Sequence, residues 1–215
     1  MGLPKFSRKK LSPVPLIILL IFALTTSVCR ASVPNPETTL VAKEAGKKQH
    51  PFISSTLNLA DYGYVENEFL ISGFANIYSK KGKWNTDGKW NTKIAKSAVP
   101  YTTRMLVRRP QSAADFNGMV VIEWLNNTAF MDVDVIWAQS HKELIRSGYA
   151  WIGLSTQTLG VNALKAWDEE RYETLRLTTD ALSYDIFSQA AKAVRIQSDY
   201  LLGGLGLVVC SYCWF

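Results

Sequence analysis

Histidine is almost missing from this sequence. Only His50 and His141 occur in 215 residues. No histidine follows His141, and no Gly-x-Ser-x-Gly occurs at any position. A hydroxyl nucleophile on a strained turn, followed by its acid and its histidine, therefore has no complete residue set here. Cysteine is nearly as scarce, with Cys29, Cys210 and Cys213 alone, which excludes a disulfide-built scaffold. Cys210 and Cys213 form a Cys-x-x-Cys pair with no following helix, no following proline and no second pair to complete a zinc site. A disulfide between the two and two buried thiols both remain open. No His or carboxylate spacing suits a metal, and nothing suggests a cofactor. Apolar runs long enough to span a bilayer are absent too, since a spanning helix needs about 20 residues.

Charge of one sign is missing from one place. Residues 1–31 carry Lys5, Arg8, Lys9, Lys10 and Arg30 without a single acid. The formal charge of the whole chain is +6, so removing those five cations leaves +1 on the remainder. Near-neutrality of the body gives no footprint for nucleic-acid binding. The basic start precedes the apolar run Val14–Leu24 and the small-residue site Cys29-Arg30-Ala31. That order is the pattern of a secretory signal peptide cleaved near Ala31. We expect a secreted protein with no stable membrane span after cleavage; the alternative is a signal-anchored one. The whole chain is 47% hydrophobic with seven Trp and nine Tyr, a composition that builds a folded core.

The sequence divides into a leader at 1–31, a flexible lead-in at 32–58 and a folded domain at 59–215. The lead-in holds Pro34, Pro36, Pro51 and a lysine patch, and reads as mostly loop. Strands are expected over Tyr64–Tyr78 and Tyr101–Arg109. In the second, Thr103, Met105 and Val107 share one face and Arg104, Leu106 and Arg108 the other, which suits an antiparallel strand partly solvated on its polar side. Between them Gly82-Lys-Trp-Asn-Thr-Asp87 is copied as Gly88-Lys-Trp-Asn-Thr-Lys93, with Asp87-Gly88 a good tight turn at a hairpin tip. Trp84 and Trp90 there are candidates for ligand stacking; a duplicated surface loop is the simpler reading.

Met119–Trp124 opens on an apolar run and reads as a strand buried on both faces. A helix capped by Asp132 or Asp134 runs to about Ser147, with Gly148 at its end, and Tyr149–Leu154 is the next buried strand. Such a strand–helix–strand unit forms a parallel pair by a right-handed crossover. A short helix over Asp168–Leu175, a longer one over Asp180–Ile196, a break at Gly203-Gly204 and a strand over Leu205–Val209 complete the pattern.

Over these stretches the sequence resembles the alpha/beta-hydrolase domain family of secreted, largely uncharacterised hydrolases. Phe69–Tyr78, Pro100–Pro110, Phe116–Asn126, Arg146–Gln157, Leu164–Tyr172 and Tyr184–Ala190 carry the likeness, in order and spacing, over about 140 residues. The resemblance implies a partial α/β-hydrolase fold: an antiparallel start, then a parallel β-α-β sheet, cut short before the nucleophile elbow. It implies esterase-like acyl-bond hydrolysis by a Ser-His-acid triad, with the nucleophile on a turn after a strand beginning near Leu207. Ser211 falls near that point without flanking glycines, and Ser155 mimics half of such a motif with Gln157 where Gly belongs. We therefore expect the chain to be inactive, with the N-terminal portion of the family alone present. The loop Leu125-Asn126-Asn127-Thr128 would offer the oxyanion-loop candidates Leu125 and Asn126. Asn126-Asn127-Thr128 is also a glycosylation sequon. Partners on this reading are a small-molecule ester or an apolar ligand. The alternatives are a noncatalytic secreted binding protein that uses its Trp-rich hairpin, and a nonfunctional gene-model fragment.

Overall fold

Two long strands dominate the structure, a computed structural model that describes residues 33–88 and 90–213, the last five by their backbone alone. The expected leader lies outside the described residues. Strand β1 (Glu37–Leu40), strand β2 (Tyr64–Lys80) and strand β3 (Thr92–Pro110) form an antiparallel meander, with Tyr64 opposite Pro110 and Lys80 opposite Thr92. β2 and β3 reach further toward their shared turn than the sequence pattern indicates. Residues 92–98 are all exposed, so no inward side chain there leaves a hydrophobic alternation to read. β1 is a short edge strand inside the segment read as lead-in.

Strand β4 (Met119–Trp124), helix α1 (Val135–Arg146) and strand β5 (Ala150–Leu154) make the expected crossover, with Ile122 in parallel register with Ile152. β5 also pairs antiparallel with β3, Val107 opposite Ile152. The chain then builds α2 (Thr158–Trp167), α3 (Glu169–Tyr172), α4 (Ser183–Ile196) and α5 (Ser198–Leu201) before strand β6 (Val209–Cys213). β6 lies parallel to β4 on its other side, giving the order β1-β2-β3-β5-β4-β6. The last strand thus begins where the sequence reading ended it. Leu205 is spent in the core and Val208 faces solvent while its N–H bonds the Gly118 carbonyl, so 205–208 is the connection to β4's edge. Cys210 and Cys213 then sit three residues apart in a strand rising ~3.3 Å per residue, which puts their Cα atoms too far apart for a disulfide between them.

α1 packs on one face of the sheet, where Leu106, Val121 and Trp151 meet Trp137 and Leu144. α2 and α4 cover the other, where Met105, Val107, Ile122 and Ile152 meet Leu164, Ile186, Phe187 and Val194. Asp134 does stand at the N-cap position of α1, but its side chain caps nothing. Glu123 does that work from β4: its carboxylate accepts from the N–H groups of Ile136 (3.0 Å) and Trp137 (3.3 Å) and from the Trp151 indole (2.8 Å). Gly153 makes room for that indole, because a Cβ there would meet the Trp151 ring at 2.4 Å. Burial pushes the Glu123 carboxyl above its ordinary range in spite of the three donors. Glu123→Ala removes the cap and strands three donors, so we expect a loss of about 3 kcal/mol in chemical denaturation.

Three tyrosines pin elements together with their only proton. Tyr64 donates to the Leu144 and Tyr149 carbonyls, Tyr101 to Gln189 and Tyr172 to Glu68. Burial raises all three phenols above 10.0, Tyr172 to about 12. The folded state therefore holds protons that the unfolded chain releases, and stability falls as pH rises above 10.0 toward about 12. Denaturation midpoints followed across that window should fall less steeply in Tyr172→Phe than in the parent.

Candidate functional site

The polar face of β3 is buried, contrary to its expected solvation. Arg104 and Arg108 are both 0% exposed, because the lead-in and α1 close over them. Arg104 donates to the Phe52 carbonyl (2.7 Å), the Ser155 hydroxyl (3.2 Å) and Asp132 (3.0 Å), with Glu68 at 3.8 Å. Arg108 pairs with Glu66 (2.7 Å) and Asp134, donates to the Ile53 carbonyl, and lies over the Trp137 and Trp151 rings at 4.8 and 4.6 Å. Arg171 holds Glu68 from α3 at 2.7 Å. The guanidinium fork suits such a site because one group can serve several acceptors at once. Alternation put both arginines on one face but could not say what covers it. Their signal was two arginines four positions apart on one strand face, which requires either solvent or buried acids.

This network fixes the loop that leaves β4. Leu125 N–H donates to the Leu154 carbonyl, and Asn126 and Val133 exchange backbone hydrogen bonds, which closes an excursion over 127–132. Inside it the Asn126 side chain accepts from the Thr128 N–H (2.9 Å) and hydroxyl (2.7 Å). Phe130 sits at φ +62° and is 78% exposed at the tip. Asp132 anchors the return, taking Arg104 and the Ser155 hydroxyl, and it lies so close to α2 that a Cβ at Gly160 would meet its Oδ1 at 2.0 Å. The loop therefore stands at the carboxyl ends of β4 and β5, with Trp124 bonded to Gln157 beside it.

Each residue singled out from sequence has a definite place. The amides of Leu125 and Asn126 are spent in the sheet and the bridge, and Asn127 carries the first amide of the loop that donates to no group among the described residues. Ser155 is 0% exposed and held between Arg104 and Asp132. The backbone of Ser211 lies within β6 opposite Val121, on a strand and not on a turn. His141 bonds the Trp137 carbonyl on the surface of α1. His50 lies 3.0 Å from the Ser54 hydroxyl, but that hydroxyl donates to the Pro51 carbonyl in the same turn, and among the described residues no hydrogen bond joins the ring to an acid. Trp84 and Trp90 stack on each other, centroids 5.2 Å apart, far along the hairpin from the β4 loop. Among the described residues no three His, Cys, Asp or Glu side chains gather as a metal site would need. A cavity of 730 Å³ flanks α4, lined by Val33, Phe187, Ser188, Ala191, Lys192, Arg195 and Ile196; its one hydroxyl, Ser188, donates to the Tyr184 carbonyl, and among the described residues no histidine or carboxylate lines it.

A mixed sheet that starts antiparallel, continues through β5-β4-β6 in parallel and carries helices on both faces defines a partial α/β-hydrolase architecture. The family model of the alpha/beta hydrolase domain matches residues 33–210, and the chain belongs to that family. Comparison with curated proteins and with solved structures gives no match.

Loss of Asp132 leaves Arg104 with only a distant carboxylate in a dry site. We expect Asp132→Ala to cost about 3–5 kcal/mol of stability by denaturant titration, and Asp132→Asn to recover part of it by keeping the Ser155 contact.

Proposed function

We propose that these residues form part of an acyl-hydrolase cleft, centred on the carboxyl ends of β4 and β6, and that the 215-residue chain by itself turns over no ester. One observation carries this reading: from β4 the chain moves to β5 on one side, and from β5 it crosses back over β4 to β6 on the other. In open α/β sheets ligands bind in the crevice outside the strand ends at such a reversal. The 125–134 loop stands at that crevice. Its exposed Phe130 and Met131 suit the apolar part of an ester.

The Asn127 amide is the donor best suited to an oxyanion, since Leu125 and Asn126 have already given theirs. A single well-aimed donor contributes ~2.7–4 kcal/mol to a transition state. It does nothing without an attacking group and a base. His141 does share a pocket with Ser54, Ser55 and Asp134, but its Nδ1 hydrogen-bonds the Trp137 carbonyl, and among the described residues no hydrogen bond joins the ring to a serine or an acid. The export pattern of residues 1–31 supports a secreted location, and the sequon at Asn126 supports glycosylation only where its half-buried side chain can be reached.

Purified full-length chain should hydrolyse p-nitrophenyl acetate and butyrate at the buffer rate. Turnover above that rate which disappears in Ser155→Ala or Ser211→Ala would overturn the reading.

A further inference from the structure

The hairpin arm formed by the distal halves of β2 and β3 takes no part in the crevice. Residues 80–96 carry six lysines against one acid, Asp87. Trp84 and Trp90 stack at 12° across the turn, and each indole N–H is satisfied locally, by the Asn91 carbonyl (2.9 Å) and the Asn85 carbonyl (3.3 Å). Lys80 lies over the Trp84 ring at 5.6 Å. That pairing staples the arm, and for Trp84 the staple is a sufficient explanation. It leaves Trp90 62% exposed, with Ile94 46% and Tyr78 38% exposed and opposite each other in register below it.

Trp90, Ile94 and Tyr78 are exposed apolar groups on an arm dense in lysine, which makes a two-part surface: ring and aliphatic area with its hydrogen-bond donors already used, and dense positive charge. A sugar-binding platform needs open ring faces and free donors, whereas here the two rings cover each other. Indoles at an interface and lysines against anionic headgroups fit the chemistry of a bilayer surface. We propose that the tip of the β2–β3 hairpin docks on anionic phospholipid bilayers, with Trp90 seated among the headgroups and Lys81, Lys83, Lys93 and Lys96 held to the lipid phosphates and carboxylates. The contact is peripheral, since among the described residues no helix is long and apolar enough to cross a membrane. It does not rest on the hydrolase reading.

Full-length chain is titrated with phosphatidylcholine vesicles, with and without phosphatidylserine, whose acyl chains are brominated near the headgroup. Residues 1–31 contain no tryptophan, so quenching reports on the folded body. Quenching is expected on the anionic vesicles, weakened by salt, and lost in the Trp84→Phe plus Trp90→Phe variant. Each lysine near such a surface contributes about 1 kcal/mol, so Lys81→Gln plus Lys83→Gln, which leaves the tryptophan pair intact, should raise the lipid needed for half-quenching roughly 30-fold. Equal quenching on neutral vesicles, quenching that survives in the double Phe variant, or insensitivity to the lysine changes would overturn the proposal. Retention on an anionic polysaccharide without any quenching on vesicles would overturn it as well.

Discussion

Two arginines on one strand hold this sheet and its loops in shape. Arg104 and Arg108 project from β3 into the layer between the sheet, α1 and the segment 50–58, and their acceptors come from four separate parts of the chain: Phe52 and Ile53, Glu66 and Glu68, Asp132 and Asp134, and Ser155. Apolar side chains of similar volume would pack the same space and would dispense with the desolvation of two cations. What they would not supply is direction. Each guanidinium fixes backbone carbonyls of a connecting segment and a carboxylate of a loop at once, so the irregular parts of the fold are set relative to the strands.

The crevice at the sheet reversal inherits its geometry from that arrangement. Asp132 is where the β4 loop is tied down, Ser155 is where β5 ends, and both meet Arg104. Ser155 resembles a reactive serine in sequence because it follows a buried strand. In the fold it is a strut, closed off from solvent, whose proton goes to a carboxylate that is itself held by a cation. A serine that serves as a nucleophile must be reachable, and this one is not.

Much of the architecture was legible from residues alone. Met119–Trp124 and the stretch around Ala150–Leu154 announced themselves by continuous apolar runs, and α4 by its apolar face. Gly148, at φ +72°, marks the end of α1 as expected. The failures share a cause. Glu123 caps α1 from a neighbouring strand, and a sequence window around Asp134 holds no trace of it. The single acid inside Met-Val-Val-Ile-Glu-Trp was the available clue. α2 carries Gly160 in its first turn, a poor helix residue kept by the close approach of Asp132, so local preference argued against a helix that tertiary contact requires. The outer part of the hairpin has no buried face and so no pattern. In the site, the loop could be placed from sequence, but which of its amides remain available depended on a bridge between Asn126 and Val133 that only the fold displays.

Gly153 shows how narrow the tolerance is. Its missing side chain is the space into which the Trp151 indole swings to reach Glu123, and the same indole forms one wall around Arg108. A single methyl at that point would be felt in three places at once: the first turn of α1, the seat of a buried cation and the packing of Leu125 at the mouth of the β4 loop. A side chain at residue 153 is therefore compatible with this fold only if the Trp151 indole gives up its place.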